Sequence, residues 1–230
     1  MSKPTAVVLF SGGQDSTTAL LKAMHVSDVR GALHVSYGQR HAVETECARR
    51  IAGLLEVPVM EVAVPAFGTL ADSALVAAGS TGIPHPRLSH LPASFVPGRN
   101  LVLLTLAAAY AMKVGATEVW TGVCQTDYSG YPDCRLETLS ALEDAVRLGM
   151  DFPDLEFHAP LMKLTKADTF ELAHACGGLE LVLEHTHTCY EGDRAHRHAW
   201  GYGCGTCPAC GLRAKGWEEF QGRAYLGPVS

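Results

Sequence analysis

Phe10, Ser11, Gly12, Gly13, Gln14, Asp15, Ser16, Thr17, Thr18, Ala19 and Leu20 form a stretch whose residue types and spacing suit phosphate binding. The apolar run from Ala6 to Phe10 leads in as a buried strand. Gly12 and Gly13 can take positive φ and let a ligand approach the backbone closely. A helix is predicted from about Ser16. Unpaired N–H groups at its start, with the helix dipole behind them, favour an anion, and the hydroxyls of Ser11, Ser16 and Thr17 add donors. The loop has no lysine, so it is not the G-x-x-x-x-G-K-[S/T] signature. Asp15 stands in its middle and would repel phosphate unless Mg²⁺ bridged the two, so a magnesium–nucleotide complex is the expected ligand.

A second chemical cluster lies near the C-terminus. Cys204, Cys207 and Cys210 are spaced C-x₂-C-x₂-C, turns short enough for their thiolates to converge on one cation, and Cys189 would complete a tetrahedral four-sulfur site. Four protein ligands leave no open position, which points to a structural zinc ion, one per chain. Two rivals stand beside it. An iron–sulfur run would place a fourth Cys three residues on, followed by Pro, where Gly211-Leu212-Arg213-Ala214 stands; and His185, His187, His196 or His198 could replace a cysteine. Of the other thiols, Cys47 and Cys176 fall in predicted helices and read as packing groups. Cys124 and Cys134 lie in a polar loop where either could be a nucleophile.

These groups must be held by elements, and the pattern after the first loop is strand and helix in alternation. Ala32–Tyr37 reads as a strand, about Ala42–Glu56 as a helix with Val43, Ile51, Leu54 and Leu55 inward, and Pro58–Val64 as a strand. Such alternation predicts an α/β fold, a parallel sheet flanked by helices of Rossmann-like type, with ligands at the carboxyl ends of the strands. Residues Pro65–Asn100 break it: they are rich in Gly, Pro, Ser and His, with a short helix around Leu70–Ala78, and read as a lid or substrate loop. Arg99 and Asn100 then sit at the start of an apolar helix, Leu101–Val114, where the arginine can reach phosphate or carboxylate.

Glu118–Val123 is the next strand, and its exit loop, Gly122–Arg135, packs acidic, aromatic, hydroxyl and thiol groups together. Tyr128 or Tyr131 could stack on a purine-like base while Asp127 or Asp133 accepts from its N–H groups. A helix over about Leu136–Gly149 and a strand over about Leu155–His158 follow. Thr165-Lys166-Ala167-Asp168 has the form of a capping box, which puts Lys166 in a first helical turn. The dipole slightly disfavours a cation there, so a ligand phosphate or carboxylate nearby is one reason for it.

The 230 residues suffice for one α/β domain, residues 1–180, with a smaller zinc-binding region, 181–230, packed on it. A net charge of −6 without clustered Lys and Arg weighs against direct nucleic-acid binding and favours small-molecule substrates. No apolar run reaches the roughly 18 residues of a membrane span, and no signal peptide precedes the first strand. A cytoplasmic protein without membrane contact is expected, in which eight cysteines are ligands, nucleophiles or core thiols rather than disulfides.

Several motifs now stand in order: F-S-G-G-Q-D-S-T-T at Phe10–Thr18, Y-G-Q-R-H at Tyr37–His41, F-V-P-G-R-N at Phe95–Asn100, T-G-V-C-Q-T-D-Y-S-G-Y-P-D-C-R at Thr121–Arg135, P-L-M at Pro160–Met162, then T-C-Y and C-G-T-C-P-A-C. Together they make nearly the whole chain resemble the 7-cyano-7-deazaguanine synthases of the ATP pyrophosphatase (PP-loop) superfamily. The resemblance implies an enzyme of queuosine precursor biosynthesis. In this reaction ATP adenylates 7-carboxy-7-deazaguanine, ammonia displaces AMP to give an amide, and a second activation removes the amide oxygen as the nitrile forms. It implies further that Ser11, Gly12, Gly13, Asp15, Ser16 and Thr17 carry ATP with Mg²⁺, and that Cys189, Cys204, Cys207 and Cys210 carry zinc. Asp15, Arg99 and Lys166 are the expected catalytic set, Asp127, Tyr131 and Asp133 the expected base-binding set, and a homodimer the expected assembly. No glutaminase signature is visible, so free ammonia is the expected nitrogen source.

The chain departs from the family pattern at Gln125, where Glu is usual, and in the fourteen residues between Cys189 and Cys204, an insert carrying His196, His198 and Trp200. Two other functions fit parts of the sequence. One is a tRNA thiolase of the same superfamily with a persulfide on Cys124 or Cys134, and the other a non-catalytic, zinc-stabilised nucleotide-binding module.

Overall fold

A computed structural model describes residues 3–38, 43–70, 73, 75, 88, 90–125 and 131–225. Its centre is a five-stranded sheet in the order β3-β2-β1-β4-β5, every neighbouring pair parallel, made of β1 (Thr5–Leu9), β2 (Asp28–Ser36), β3 (Val59–Ala63), β4 (Glu118–Trp120) and β5 (Glu156–His158). Helices α1 (Gln14–Val26) and α2 (Val43–Leu54) cover one face. Helices α4 (Arg99–Val114) and α5 (Leu136–Gly149) cover the other, and the short α3 (Ala66–Leu70) follows β3.

Side-chain alternation along β1 explains both layers. Ala6 and Val8 point to α1 and α2, while Val7 packs with Leu104, Ala107 and Ala111 of α4. A strand buried on both sides reads as a continuous apolar run, as β1 does. The chain winds from β1 outward to β3 and then crosses back to β4 on the other side of β1. The reversal opens a crevice between β1 and β4 at the carboxyl ends of the strands.

A third layer lies outside α1. There α6 (Lys166–Ala175), α7 (Leu179–His185) and α8 (Pro208–Tyr225) pack through Phe170, Val182 and Phe220 against Leu21. Between α7 and α8 the insert folds as an antiparallel hairpin, β6 (Arg197–His198) and β7 (Gly201–Tyr202). Among the described residues no helix is long and apolar enough to cross a membrane.

The structure corrects several expectations. α1 begins at Gln14, two residues early, and β2 begins at Asp28, four residues early. Leu54, expected inward, is 55% exposed because α2 is ending there and the chain turns at Glu56 (φ 56°). The short helix after β3 is at Ala66–Leu70; residues 71, 72, 74 and 76–87, which hold most of the expected Leu70–Ala78 helix, lie outside the described residues. α7, the hairpin and α8 were not foreseen. α8 carries Gly211, Gly216 and Gly222, poor helix formers, and its helix is held by packing on α6 rather than by propensity.

Candidate active site

The phosphate turn leaves β1 and enters α1 with no side-chain cap on its first turn. That leaves backbone N–H groups available to a ligand. Gly12 has φ +83°, and a Cβ there would lie 2.6 Å from Ala48 N and 2.8 Å from Glu44 O, so only glycine lets the turn lie against α2. The hydroxyls are pre-set: Ser16 Oγ accepts from Ser11 N–H at 3.2 Å and lies 3.0 Å from Ser11 Oγ, which itself accepts from Gly13 N–H at 3.3 Å. The loop after β4 touches this turn across the crevice. A Cβ on Gly122 would stand 2.6 Å from Ser16 N and 2.7 Å from the Asp15 carbonyl carbon.

The cation missing from the loop comes from another helix. Lys166 Nζ donates to Asp15 Oδ2 at 2.6 Å, and the two side chains are only 10% and 26% exposed. The expected capping box is present. Thr165 Oγ1 accepts from Asp168 N–H at 3.2 Å, and Asp168 Oδ2 accepts from Thr165 N–H at 2.8 Å, fixing the turn that carries Lys166. Gly216 of α8 lies directly behind; a Cβ there would meet Lys166 Cβ at 2.5 Å.

Between these elements a cleft of about 280 Å³ opens. Ser11, Asp15 and Ser16 form its floor, with Tyr37 at the end of β2, Glu44 on α2, Arg99 and Asn100 on α4, and Tyr131, Cys124, Cys134 and Tyr190 around it. Arg99 donates to Tyr37 Oη at 3.3 Å, and its guanidinium lies 5.5 Å from the centre of the Tyr37 ring and 6.0 Å from that of Tyr131. Burial works against its charge, but Tyr37, Tyr131, Asp133 and Cys134 outweigh that and hold its pKa above the ordinary arginine value. The cleft therefore keeps a fixed positive charge. Burial pushes the Glu44 carboxyl up to about 7 against the pull of Arg99.

Not every expected residue faces the cleft. Tyr131 does, with its hydroxyl 2.6 Å from Ser94 Oγ. Asp133 instead is buried under the start of α4, where its carboxylate accepts from Asn100 N–H at 3.0 Å and so serves as a helix cap. Asp127, with Tyr128, lies outside the described residues. Gln125 Oε1 accepts from Leu136 N–H at 3.1 Å and caps α5. Both loop thiols line the cleft: Cys124 Sγ donates to Leu164 O at 3.3 Å, and Cys134 Sγ accepts from Asn100 Nδ2 at 3.2 Å. The sequence reading missed Glu44, Tyr37 and Tyr190. The signal for two of them was in hand, since Tyr37 opens Y-G-Q-R-H and Tyr190 adjoins Cys189.

The four cysteines come together as the spacing suggested. Their sulfur atoms all lie within 4.8 Å of one another, with Cys204–Cys210 and Cys189–Cys207 both at 4.0 Å. A tetrahedral zinc site with bonds of about 2.3 Å requires sulfur separations of about 3.8 Å, so the set fits such an ion. Backbone amides of Thr206 and Cys207 point at Cys204 Sγ at 3.4 and 3.3 Å, as thiolate ligands need. A hydrogen bond from the Cys210 thiol, then backbone donors, pull Cys207 down to about 4, while the same bond pushes Cys210 up. No histidine enters the cluster among the described residues. His198 stacks on Trp200 with ring centres 4.4 Å apart, and its Nε2 lies 2.9 Å from Gly203 O.

Arg213, one turn beyond Cys210, is fully buried and donates to Trp200 O, Thr188 Oγ1 and Val182 O at 2.8 to 2.9 Å. Burial lowers its pKa to about 10, and Asp15 acts in the opposite direction. The residue thus ties α8 to the hairpin and α7 just behind the nucleotide turn.

A family model described as "Queuosine biosynthesis protein QueC" matches residues 5–221. A protein of Wolinella succinogenes named 7-cyano-7-deazaguanine synthase is 51% identical over 224 residues, covering 96% of this chain and 95% of that protein. One of the same name from Nitrobacter winogradskyi is 49% identical over 232 residues, covering 95% and 96%. Among solved structures, a 4-thiouridine synthetase in complex with RNA and ATP superposes with a TM-score of 0.50 at 16% identity, over 97% of this chain and 52% of that one. That likeness concerns the fold alone.

Proposed function

The chain belongs to the queuosine biosynthesis protein QueC family, and from that membership we propose that it converts 7-carboxy-7-deazaguanine and ammonia to 7-cyano-7-deazaguanine at the expense of ATP. The observation that carries this is a 51% identical relative of that name, matched over 95% of its length. The cleft has the parts such chemistry needs. A carboxylate is a poor electrophile, and transfer of an adenylyl group turns its oxygen into a leaving group. Ammonia then displaces AMP to give the amide, and a second adenylation lets the amide oxygen depart as the nitrile forms. Positioning and charge neutralisation supply the catalysis, with no covalent protein nucleophile.

In this reading the turn from Phe10 to Leu20 holds the triphosphate through first-turn amides and the Ser11 and Ser16 hydroxyls; Thr17, expected to add a third, is fully buried outside the cleft lining. Arg99, half-buried and permanently charged, faces phosphate or substrate carboxylate. Lys166 holds the Asp15 carboxylate in place at the start of α1. Asp15 would hold the Mg²⁺ that accompanies ATP, and that ion would supply neutralisation of phosphate charge. Tyr131 offers a ring to the deazaguanine, while the Asp133 carboxylate caps α4 and does not line the cleft.

Zinc in the Cys189, Cys204, Cys207 and Cys210 site would be structural and cross-link residues 181–230, the region that packs through Val182 and Phe220 on the nucleotide-binding part, 1–180. The reaction uses small molecules without direct nucleic-acid contact, in the cytoplasm. A homodimer is proposed, the apolar side chains of Val102 and Met112 on α4 and Leu136 and Leu148 on α5 being exposed. The test is incubation with Mg-ATP, ammonium and 7-carboxy-7-deazaguanine, with products identified by mass. The nitrile and AMP are expected; failure to release AMP with all substrates present would overturn the proposal.

A further inference from the structure

Among the described residues, the carboxylates lining the cleft are Asp15 and Glu44. Asp15 is held by Lys166 at 2.6 Å. Glu44 stands in the first turn of α2, on the opposite side of the phosphate turn, and its position is set by rigid neighbours. Its carbonyl oxygen would lie 2.8 Å from a Cβ on Gly12, so the turn and the start of α2 are in contact. The next residue, Thr45, donates its hydroxyl to His34 Nε2 at 2.9 Å, and His34 Nδ1–H donates to Phe10 O at 3.0 Å, which locks that helix start to β2 and to the end of β1.

The reaction proposed above needs a group of this kind. Ammonium, like a lysine side chain with its pKa of about 10.4 in water, is protonated at neutral pH and has no lone pair to offer. We propose that the Glu44 carboxylate accepts the proton that turns bound ammonium into the attacking ammonia. One N–H bond breaks, its electron pair stays on nitrogen, and the proton forms an O–H bond on Glu44. The nitrogen pair forms the C–N bond at the adenylated acyl carbon. A second nitrogen proton passes to solvent, and the C–O bond to AMP breaks with its pair leaving on AMP, giving the amide.

The surroundings suit that task. Among the described residues, the titratable or charged groups around Glu44 are Arg99 from α4, Tyr37 from the end of β2 and Cys47 one turn along α2. Burial raises the pKa of Tyr37 and of Cys47, and Glu44 adds to both shifts. Burial brings Glu44 itself up to about 7, making its carboxylate a stronger base than an ordinary glutamate and one that exchanges protons near neutrality. Arg99 stays charged throughout and opposes any second cation, which favours ammonia over ammonium once the proton has moved.

The role rests on the proposed synthase activity, and the test separates the two. In the unaltered full-length protein, exchange of pyrophosphate into ATP that depends on 7-carboxy-7-deazaguanine reports adenylation alone; its absence would refute the synthase reading. In Glu44→Gln that exchange is expected to stay within a few-fold of the parent, while amide formation with ammonium falls by at least about 100-fold, the usual worth of a general base. Hydroxylamine, uncharged at the same pH, should restore product formation in the variant, whose rate with ammonium should follow the fraction of free ammonia alone. Glu44→Ala with added formate should recover activity toward ammonium. Retention of the ammonium rate in Glu44→Gln overturns the inference. So does loss of exchange together with the ammonium rate, which would mark a phosphate or metal ligand, and so does a raised KM for the acid at unchanged kcat, which would mark a reader of the base.

Discussion

Replacing Lys166 by Met removes the cation that Asp15 faces at 2.6 Å, in a place where the two side chains are 10% and 26% exposed. At that separation and an effective dielectric constant of about 20, the attraction is about 6 kcal/mol before desolvation is counted. Desolvation of both charges returns part of this, and breaking a buried pair from one side costs about 3 kcal/mol. Lys166→Met is therefore expected to lower the unfolding free energy by about 3 kcal/mol. Asp15→Asn should do so by less, because the lysine stem can carry its head toward water. The double variant should be about 2 kcal/mol more stable than the sum of the two losses predicts. The assay is urea unfolding of the four proteins without nucleotide, at one pH and salt concentration. Additivity within about 0.5 kcal/mol would mean that the two groups do not interact. The cation's role in holding Asp15 would then be refuted.

Three further outcomes follow from the geometry. Gly122→Ala places a Cβ 2.6 Å from Ser16 N, a backbone atom that cannot swing away, so pyrophosphate exchange should fall by at least about 100-fold while the fold, read by circular dichroism, persists. Stripping metal from the four-cysteine site with a chelator should lower the unfolding midpoint and expose Trp200, which packs with Cys189 and Cys210, to fluorescence quenchers; an unchanged midpoint would speak against a bound structural ion. Burial lowers the pKa of His34, so the unfolded chain binds more protons as pH falls. Its contribution to stability is full above about pH 6.5 and is lost as pH drops through the folded-state value; His34→Asn, which can keep the bond to Phe10 O, should flatten that part of the stability curve.

The α/β alternation was readable because each element carries its own period: β1 is apolar throughout, α5 falls at Leu136–Gly149 as expected, and Thr165 with Asp168 forms the expected cap. The rest of the third layer, α7, the hairpin and α8, was not readable. The 18 residues of α8 have three glycines and little amphipathic pattern, and the helix forms because Gly216 allows its backbone to lie against Lys166. The place of Asp133 was not readable for a similar reason. An acidic residue in a loop looks like a ligand-binding group until the structure brings the Asn100 amide, in the first turn of α4, against it.

By itself the sequence determined the strand–glycine–helix turn at Phe10–Leu20 and the four-sulfur set. In both, groups close along the chain, or at ligand spacing, already carry the chemistry. Only the tertiary structure decided that the cation for Asp15 comes from a helix 151 residues away, that Glu44 turns toward the cleft, and that Tyr190 carries the cysteine cluster to its wall. Local pattern fixes what a segment forms; which side chains meet depends on how helices and loops pack over the reversal between β1 and β4, and no short stretch of sequence encodes that.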